Sequence, residues 1–362
     1  MRIAILCHMH HPIAEPYEGG TEAHTAMLAD GLVARGHDVT LFAKEGSATA
    51  ARSYPLVPRD FEFTRIASPL VRKQQRGFLA EAVYHSISII RQQDFDLVIN
   101  NSLSALPYTH LRGVPMMTIL HTPPTLADVT AVLVNPAWVP DPQHSYVTVS
   151  ETNAASWRGM LPEVQVVHNG IDLDRWDVPS NPTPRRAVWA ARITPEKGLH
   201  LAIDAARLAS RSLDFVGPIA HEDYFATEIV PRLGPDVRYL GHLSHSELPA
   251  FLSTGEVFVA SPLWAEPFGL SAIEAMMTGT PVAALPNGAL VELVPPRAGT
   301  IASAVTATAL AAAIVSAASC NREAVRATAA EFSLDRMLDG YERVLEELVQ
   351  PAAGSEERTL SA

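Results

Sequence analysis

Two glutamates eight positions apart, Glu266 and Glu274, bracket the segment Pro267-Phe268-Gly269-Leu270-Ser271-Ala272-Ile273. A flexible Gly269-Leu270 step leads into residues of helical type, Ser271 to Met277, which stop at Gly279 with Pro281 just beyond. The order along the chain is carboxylate, glycine-bearing loop, helix N-terminus, second carboxylate. A helix N-terminus offers unpaired N–H groups and partial positive charge, both suited to phosphate. Carboxylates beside it accept from donors, and sugar hydroxyls are the obvious ones. The chemistry suggested is recognition of a sugar attached to a diphosphate. Ser271-x-x-Glu274 also fits a capping box, with Glu274 satisfying backbone N–H groups at its own helix start. The motif alone leaves both readings open.

A phosphate site needs partners, and two further segments supply them. Arg192 and Lys197 fall in Arg192-Ile193-Thr194-Pro195-Glu196-Lys197-Gly198, directly after a strand-like run. A cation before a proline turn and another at a helix start can converge on a pyrophosphate, the first as a planar fork, the second as a point charge. The same charges would also suit an ordinary surface loop. Gly19-Gly20 precede a helix beginning near Thr21, where glycine lets backbone approach a ligand and aims N–H groups at an anion. Such pairs are often plain turns; this one follows the first strand of its unit.

Metal chemistry is not expected. Asp94-Phe95-Asp96 leads straight into an apolar strand and reads as a turn, and His8, His10 and His11 lack a standard zinc spacing. The chain has 362 residues, which suggests two domains, and 48% apolar content allows sizeable cores. Its net charge of −12, from 27 basic and 39 acidic residues, argues against a nucleic-acid binder. Cys7 and Cys320 show no metal spacing and are expected to be free thiols in a reducing compartment. Neither a signal peptide nor a membrane-spanning run is evident, so a cytoplasmic location is the expectation.

Stepping along the chain, strand-like runs at Ile3–Leu6, Val39–Ala43, Leu97–Asn100, Met116–Leu120, Tyr146–Val149 and Val164–Val167 alternate with helical stretches such as Thr21–Arg35 and Leu79–Gln92. After the proline-rich break Pro179–Pro184 the pattern restarts with strands at Ala187–Ala191, Leu213–Val216, Val237–Leu240, Val257–Ala260 and Val282–Leu285. Such alternation predicts parallel sheets covered on both faces. The expected division is a first domain over 1–178, a linker and hinge at 179–185, a second domain over 186–333, and a closing helix over 334–350 that could cross back. The tail 351–362 is expected to be disordered. Ligands of open α/β sheets sit at the carboxyl ends of strands, so the cleft between two such domains is the expected site.

Several segments together resemble the retaining, nucleotide-sugar-dependent glycosyltransferases of family 4, which have the GT-B fold. They are Gly19-Gly20-Thr21-Glu22, Gly36-His37-Asp38-Val39, His168-Asn169-Gly170-Ile171-Asp172, Arg192 to Gly198, Gly241-His242-Leu243, Glu266 to Glu274, and Gly279-Thr280-Pro281-Val282. The resemblance implies an α/β protein of two Rossmann-like domains facing a cleft, with a nucleotide-sugar as co-substrate and no other cofactor. UDP-sugar is the expected donor, with GDP or ADP as alternatives. Arg192 and Lys197 would hold the diphosphate, with Gly19 and Gly20 adding backbone from the opposite domain. Glu266 would bind donor-sugar hydroxyls, helped by backbone N–H groups of Phe268, Gly269 and Leu270, with Ser271 at the helix start. Glu274 would accept from ribose hydroxyls, and Gly241, His242 and Leu243 would lie near the base. His121, in Leu120-His121-Thr122-Pro123, matches the family's active-site histidine; a backbone-bonded strand-end residue is its plainer reading.

The acceptor, whether small molecule, glycan or lipid-linked, should be met by the first domain. Candidates are the His-rich loop His8–Glu18, which is lengthened relative to the family, and the basic stretch Arg72-Lys73-Gln74-Gln75-Arg76. That stretch could meet an anionic acceptor or lipid headgroups, or form a solvated helix face. The rivals to a transferase are a nucleotide-sugar epimerase of the same architecture and an inactive sugar-nucleotide-binding protein.

Overall fold

The computed structural model describes residues 1–63 and 68–350. The tail 351–362, expected above to be disordered, lies outside the described residues. Seven strands form the first sheet: β1 (Arg2–Cys7), β2 (Asp38–Lys44), β3 (Arg52–Val57), β4 (Leu97–Asn101), β5 (Met116–Leu120), β6 (His144–Thr148) and β7 (Gln165–Val166), in the order β3-β2-β1-β4-β5-β6-β7. Six form the second: β8 (Arg186–Ala190), β9 (Ser212–Val216), β10 (Val237–Tyr239), β11 (Val257–Ala260), β12 (Val282–Ala284) and β13 (Gly299–Ile301), in the order β10-β9-β8-β11-β12-β13. Every pairing is parallel, as in Ile3↔Val39, Ile3↔Leu97 and Val188↔Phe258. The central strands β4, β5 and β11 are buried along their whole length, as sheets covered by helices on both faces require.

Both sheets reverse strand order at one point, between β1 and β4 and between β8 and β11, so each opens a crevice at its carboxyl edge. Two edge strands escape the sequence patterns. β3 is mostly exposed and contains Pro55, which an edge strand tolerates. β13 has only three residues.

The chain passes between the lobes twice, and the two passes touch. Ile171 N–H donates to Phe332 O and Leu334 N–H donates to Ile171 O, both at 2.9 Å. The helix Leu334–Val349 then lies on the first sheet, where Met337, Leu338, Tyr341, Val344 and Leu345 share a core with Ile3, Ile5, Leu28 and Leu32.

The proline-rich segment is not the crossing. Asn181 and Thr183 N–H groups bond Ser253 and Thr254 carbonyls, Arg322 bonds Ser180, and Trp176 is buried in the core of the second lobe. Side-chain and backbone bonding ties residues 176–184 to the second lobe, so the chain crosses upstream of the expected linker 179–185, near Gly170.

Gly170 allows the two passes to touch. A Cβ there would meet Ser333 O at 2.5 Å and Leu334 Cα at 2.7 Å, both backbone. Gly170→Ala should therefore destabilise the protein by about 1–3 kcal/mol, seen as a lower thermal midpoint. Gly77→Ala, on a helix with nothing within 4 Å of the new atom, should not lower it.

Candidate functional site

A cavity of about 550 Å³ lies where the carboxyl edges of the two sheets face each other. It is lined by Gly19, Gly20 and His121 from the first lobe. From the second come Arg192, Lys197, His242, Leu243, Glu266, Phe268, Gly269, Leu270, Ser271 and Glu274. Of the donor-side residues selected from sequence, Gly241 stays outside. It takes the left-handed turn after β10, φ 87°, and its carbonyl accepts from Gly217 N–H at 3.0 Å.

The helix Leu270–Met277 resolves the ambiguity in its motif. Its N-cap is Gly269, left-handed at φ 95°, and no side chain caps it. Ser271 and Glu274 make no capping box, because the helix starts two residues earlier than the box requires. Glu274 instead lines the cavity, its Oε1 3.6 Å from His245 Nε2. The N–H groups of Phe268, Gly269 and Leu270 have no partner among the described residues. A second helix N-terminus, that of Gly20–Ala34, lines the same cavity: a Cβ on Gly20 would sit 3.4 Å from Leu270 Cδ1.

Lys197 Nζ donates to Glu266 Oε2 at 2.6 Å, and Trp264 Nε1 donates to the same oxygen at 2.9 Å. Arg192 has no hydrogen-bond or ion-pair partner among the described residues. Two glycines let these loops close on one another. At Gly198, φ 64°, a Cβ would strike Ser261 O at 2.1 Å; at Gly288, also φ 64°, it would strike Glu266 N and O at 2.2 Å. The Asn287-Gly288 turn was missed from sequence, although this dipeptide is a recognisable turn signal.

On the first-lobe side, His121 follows β5 directly, and its Nε2 lies 3.2 Å from Asn101 Oδ1. Its ring meets His24 edge to face at 4.7 Å. Burial, followed by the nearby His24 and His8, holds its pKa well below 6.5. His8 Nε2 is 3.3 Å from Glu22 Oε1 without the alignment of a hydrogen bond. The loop residues His8, His10, His11, Tyr17 and Glu18 reach the cavity, whereas Arg72, Lys73 and Arg76 stand on the exposed start of the helix Pro69–Ile90, away from it.

Across the lobes, the Glu292 carboxylate accepts from Glu151 N–H and Thr152 N–H, each at 3.0 Å, and Ser150 Oγ donates to Pro267 O at 2.6 Å. Glu292, His245 and Asn101 carry no motif; only long-range proximity selects them. Among the described residues no group of three His, Cys, Asp or Glu could hold a metal ion, and no helix is long and apolar enough to cross a membrane.

Two Rossmann-like units with a shared cavity at their carboxyl edges define a GT-B architecture. Residues 18–175 match Glycosyltransferase Family 4 and residues 170–332 match Glycosyl transferases group 1. Over 340 residues the chain is 25% identical to the D-inositol 3-phosphate glycosyltransferase of Pseudarthrobacter chlorophenolicus, covering 80% of each. It is 34% identical over 143 residues to the glycogen synthase of Mycobacterium tuberculosis. That match takes in 37% of this chain and spans about a third of that relative, 34% of its length. Anabaena Alr3699/HepE, solved in complex with UDP and glucose, superposes with a TM-score of 0.70 at 20% identity, over 96% of this chain and 100% of the other. The chain belongs to the family-4, group 1 glycosyltransferases and has the GT-B fold.

The buried histidines make stability depend on acid. Burial lowers the pKa of His8 and His24 from 6.5 to about 4 and that of His144 to about 3. Each binds its proton more readily when unfolded, so their contribution is intact above pH 6.5 and is lost as pH falls towards the folded values. Each should steepen the acid side of the stability curve by up to about 1.4 kcal/mol per pH unit. Denaturant titrations at several pH values check this, and His144→Gln should flatten the slope.

Proposed function

We propose that the protein is a retaining, metal-independent glycosyltransferase. It would move a sugar from a nucleoside diphosphate, UDP first and GDP or ADP after it, to an acceptor hydroxyl, and it would act in the cytoplasm without a further cofactor. The observation that carries this reading is the meeting of two helix N-termini, at Gly20 and Leu270, with Arg192 and Lys197 around one cavity. Arg192, Lys197 and the two N-termini together outweigh the carboxylates set on them, Glu266 on Lys197 and Glu22 in the first turn of the Gly20 helix, which suits a diphosphate between the N-termini.

In this reading the diphosphate takes Lys197 from Glu266, which releases the carboxylate for hydroxyls of the donor sugar. Before binding, the pair satisfies itself at 2.6 Å and neither charge is left bare in a half-buried site. Glu274 accepts from the ribose, and His242 and Leu243 flank the base. As the glycosidic bond breaks, charge grows on the departing phosphate, where Arg192, Lys197 and the Phe268–Leu270 amides stabilise it. Family resemblance supports retention by a front-face route, in which the leaving phosphate removes the acceptor proton late. UDP is the first base to screen because HepE, of the same fold, was solved with it.

Lys197→Ala should lower kcat/KM for the donor about 10²–10³-fold, measured by steady-state transfer assays. Wild-type kinetics in that variant would remove the diphosphate role. Glu274→Gln should raise the donor KM several-fold at an unchanged melting temperature, since no helix cap is lost. Donor incubated alone separates transfer from epimerisation: rapid epimerisation without acceptor would favour the epimerase.

A further inference from the structure

The first-lobe half of the cavity has a chemistry of its own. Glu22, only 7% exposed, sits in the first turn of the helix Gly20–Ala34, and Glu18 stands exposed at the rim. Asn169 Oδ1 is buried in the cavity wall with no hydrogen-bond partner.

His121 adds an acceptor as well, because its tautomer is set from behind. Thr25 Oγ1 donates its one hydrogen to Thr21 O at 2.8 Å, so it can only receive Asn101 Nδ2, at 3.1 Å. Asn101 therefore turns Oδ1 towards His121 Nε2, and an amide oxygen only accepts. The ring hydrogen is on Nε2. Burial keeps the ring neutral, which leaves a lone pair on Nδ1. That nitrogen has no partner among the described residues.

Glu18, Glu22, Asn169 Oδ1 and His121 Nδ1 all accept hydrogen bonds. Among the described residues lining the cavity, the only lysine and arginine are Lys197 and Arg192, both on the opposite wall. His8, beside Glu22, is kept neutral by burial, with its pKa lowered to about 4. The positive end of the helix Gly20–Ala34 is offset by its own Glu22, whose Oε2 lies 3.3 Å from the Cβ position of Gly19. A ligand group beside Glu22, Asn169 and His121 gains by bringing hydrogen-bond donors, and a negative charge set there meets Glu22. Hydroxyls bring such donors; a phosphomonoester would lose its water and meet a buried carboxylate.

With the acceptor met by the first lobe as the family resemblance implies, we propose that this half takes an uncharged polyhydroxy compound, a sugar or cyclitol, in preference to its phosphomonoester. The proposal rests on the donor reading above and adds the chemical class of the acceptor. Glu22 is its main specificity residue.

The test is transfer from UDP-glucose, UDP-galactose and UDP-N-acetylglucosamine to matched pairs: myo-inositol with inositol 3-phosphate, glucose with glucose 6-phosphate, mannose with mannose 6-phosphate. Binding of UDP, GDP and ADP is measured separately by calorimetry. The neutral member should be preferred by about tenfold or more in kcat/KM. Glu22→Gln should shrink that preference several-fold, and Glu18→Gln, at an exposed position, should shrink it less. Equal or better transfer to the phosphorylated members, or no transfer to any neutral member while UDP still binds, overturns the acceptor assignment and leaves the donor reading standing. Absence of binding by UDP, GDP and ADP alike removes the donor reading, and this one with it.

Discussion

Like-signed elements crowded into one space are the constraint on which this structure turns. The N-termini of Gly20–Ala34 and Leu270–Met277 line one cavity, and Arg192 and Lys197 join them. Left bare, such an arrangement would be repulsive at low dielectric. The fold contains it by rigid loops and by two carboxylates, Glu266, held by Lys197 and Trp264 together, and Glu22 in the first turn of Gly20–Ala34. Rigidity comes from contacts that admit no side chain: Gly198 against the Ser261 carbonyl and Gly288 against the Glu266 backbone. Those two glycines tie the loops after β8, β11 and β12 into one surface, so the site is a property of the second sheet as a whole.

Much of this was legible in the chain, and the limits follow from what local pattern can encode. Buried parallel strands are unbroken apolar runs, so Met116–Leu120 and Val257–Ala260 stand out at their true boundaries. β3 does not, because an edge strand with Pro55 and four exposed residues has no apolar signature. The closing helix was legible from its apolar stripe. The crossing near Gly170 was not legible, because proline content marks irregular backbone without saying which lobe binds it.

The site divides in the same way. Residues that act through helix ends and charge, such as Arg192, Lys197, Glu266 and Glu274, announce themselves by spacing. The capping-box ambiguity could not be removed by spacing, since it depends on whether the helix starts at Leu270 or after it. Asn101, Thr25 and His245 act on groups far away in the chain. Glu15 and His245 both meet Arg175 on the connecting segment, at 3.1 and 2.7 Å, which joins the first-lobe loop to the neighbourhood of Glu274. No periodicity predicts such a relay.

Glu292 has a consequence for motion. It closes the start of Glu151–Trp157 from the other lobe, alongside the local Ser150 cap. Pulling the lobes apart would strip two amides of their acceptor and hand them to water. Opening therefore exposes a helix end in one lobe as it uncovers a carboxylate in the other, and amide hydrogens of Glu151 and Thr152 become natural reporters of the gap.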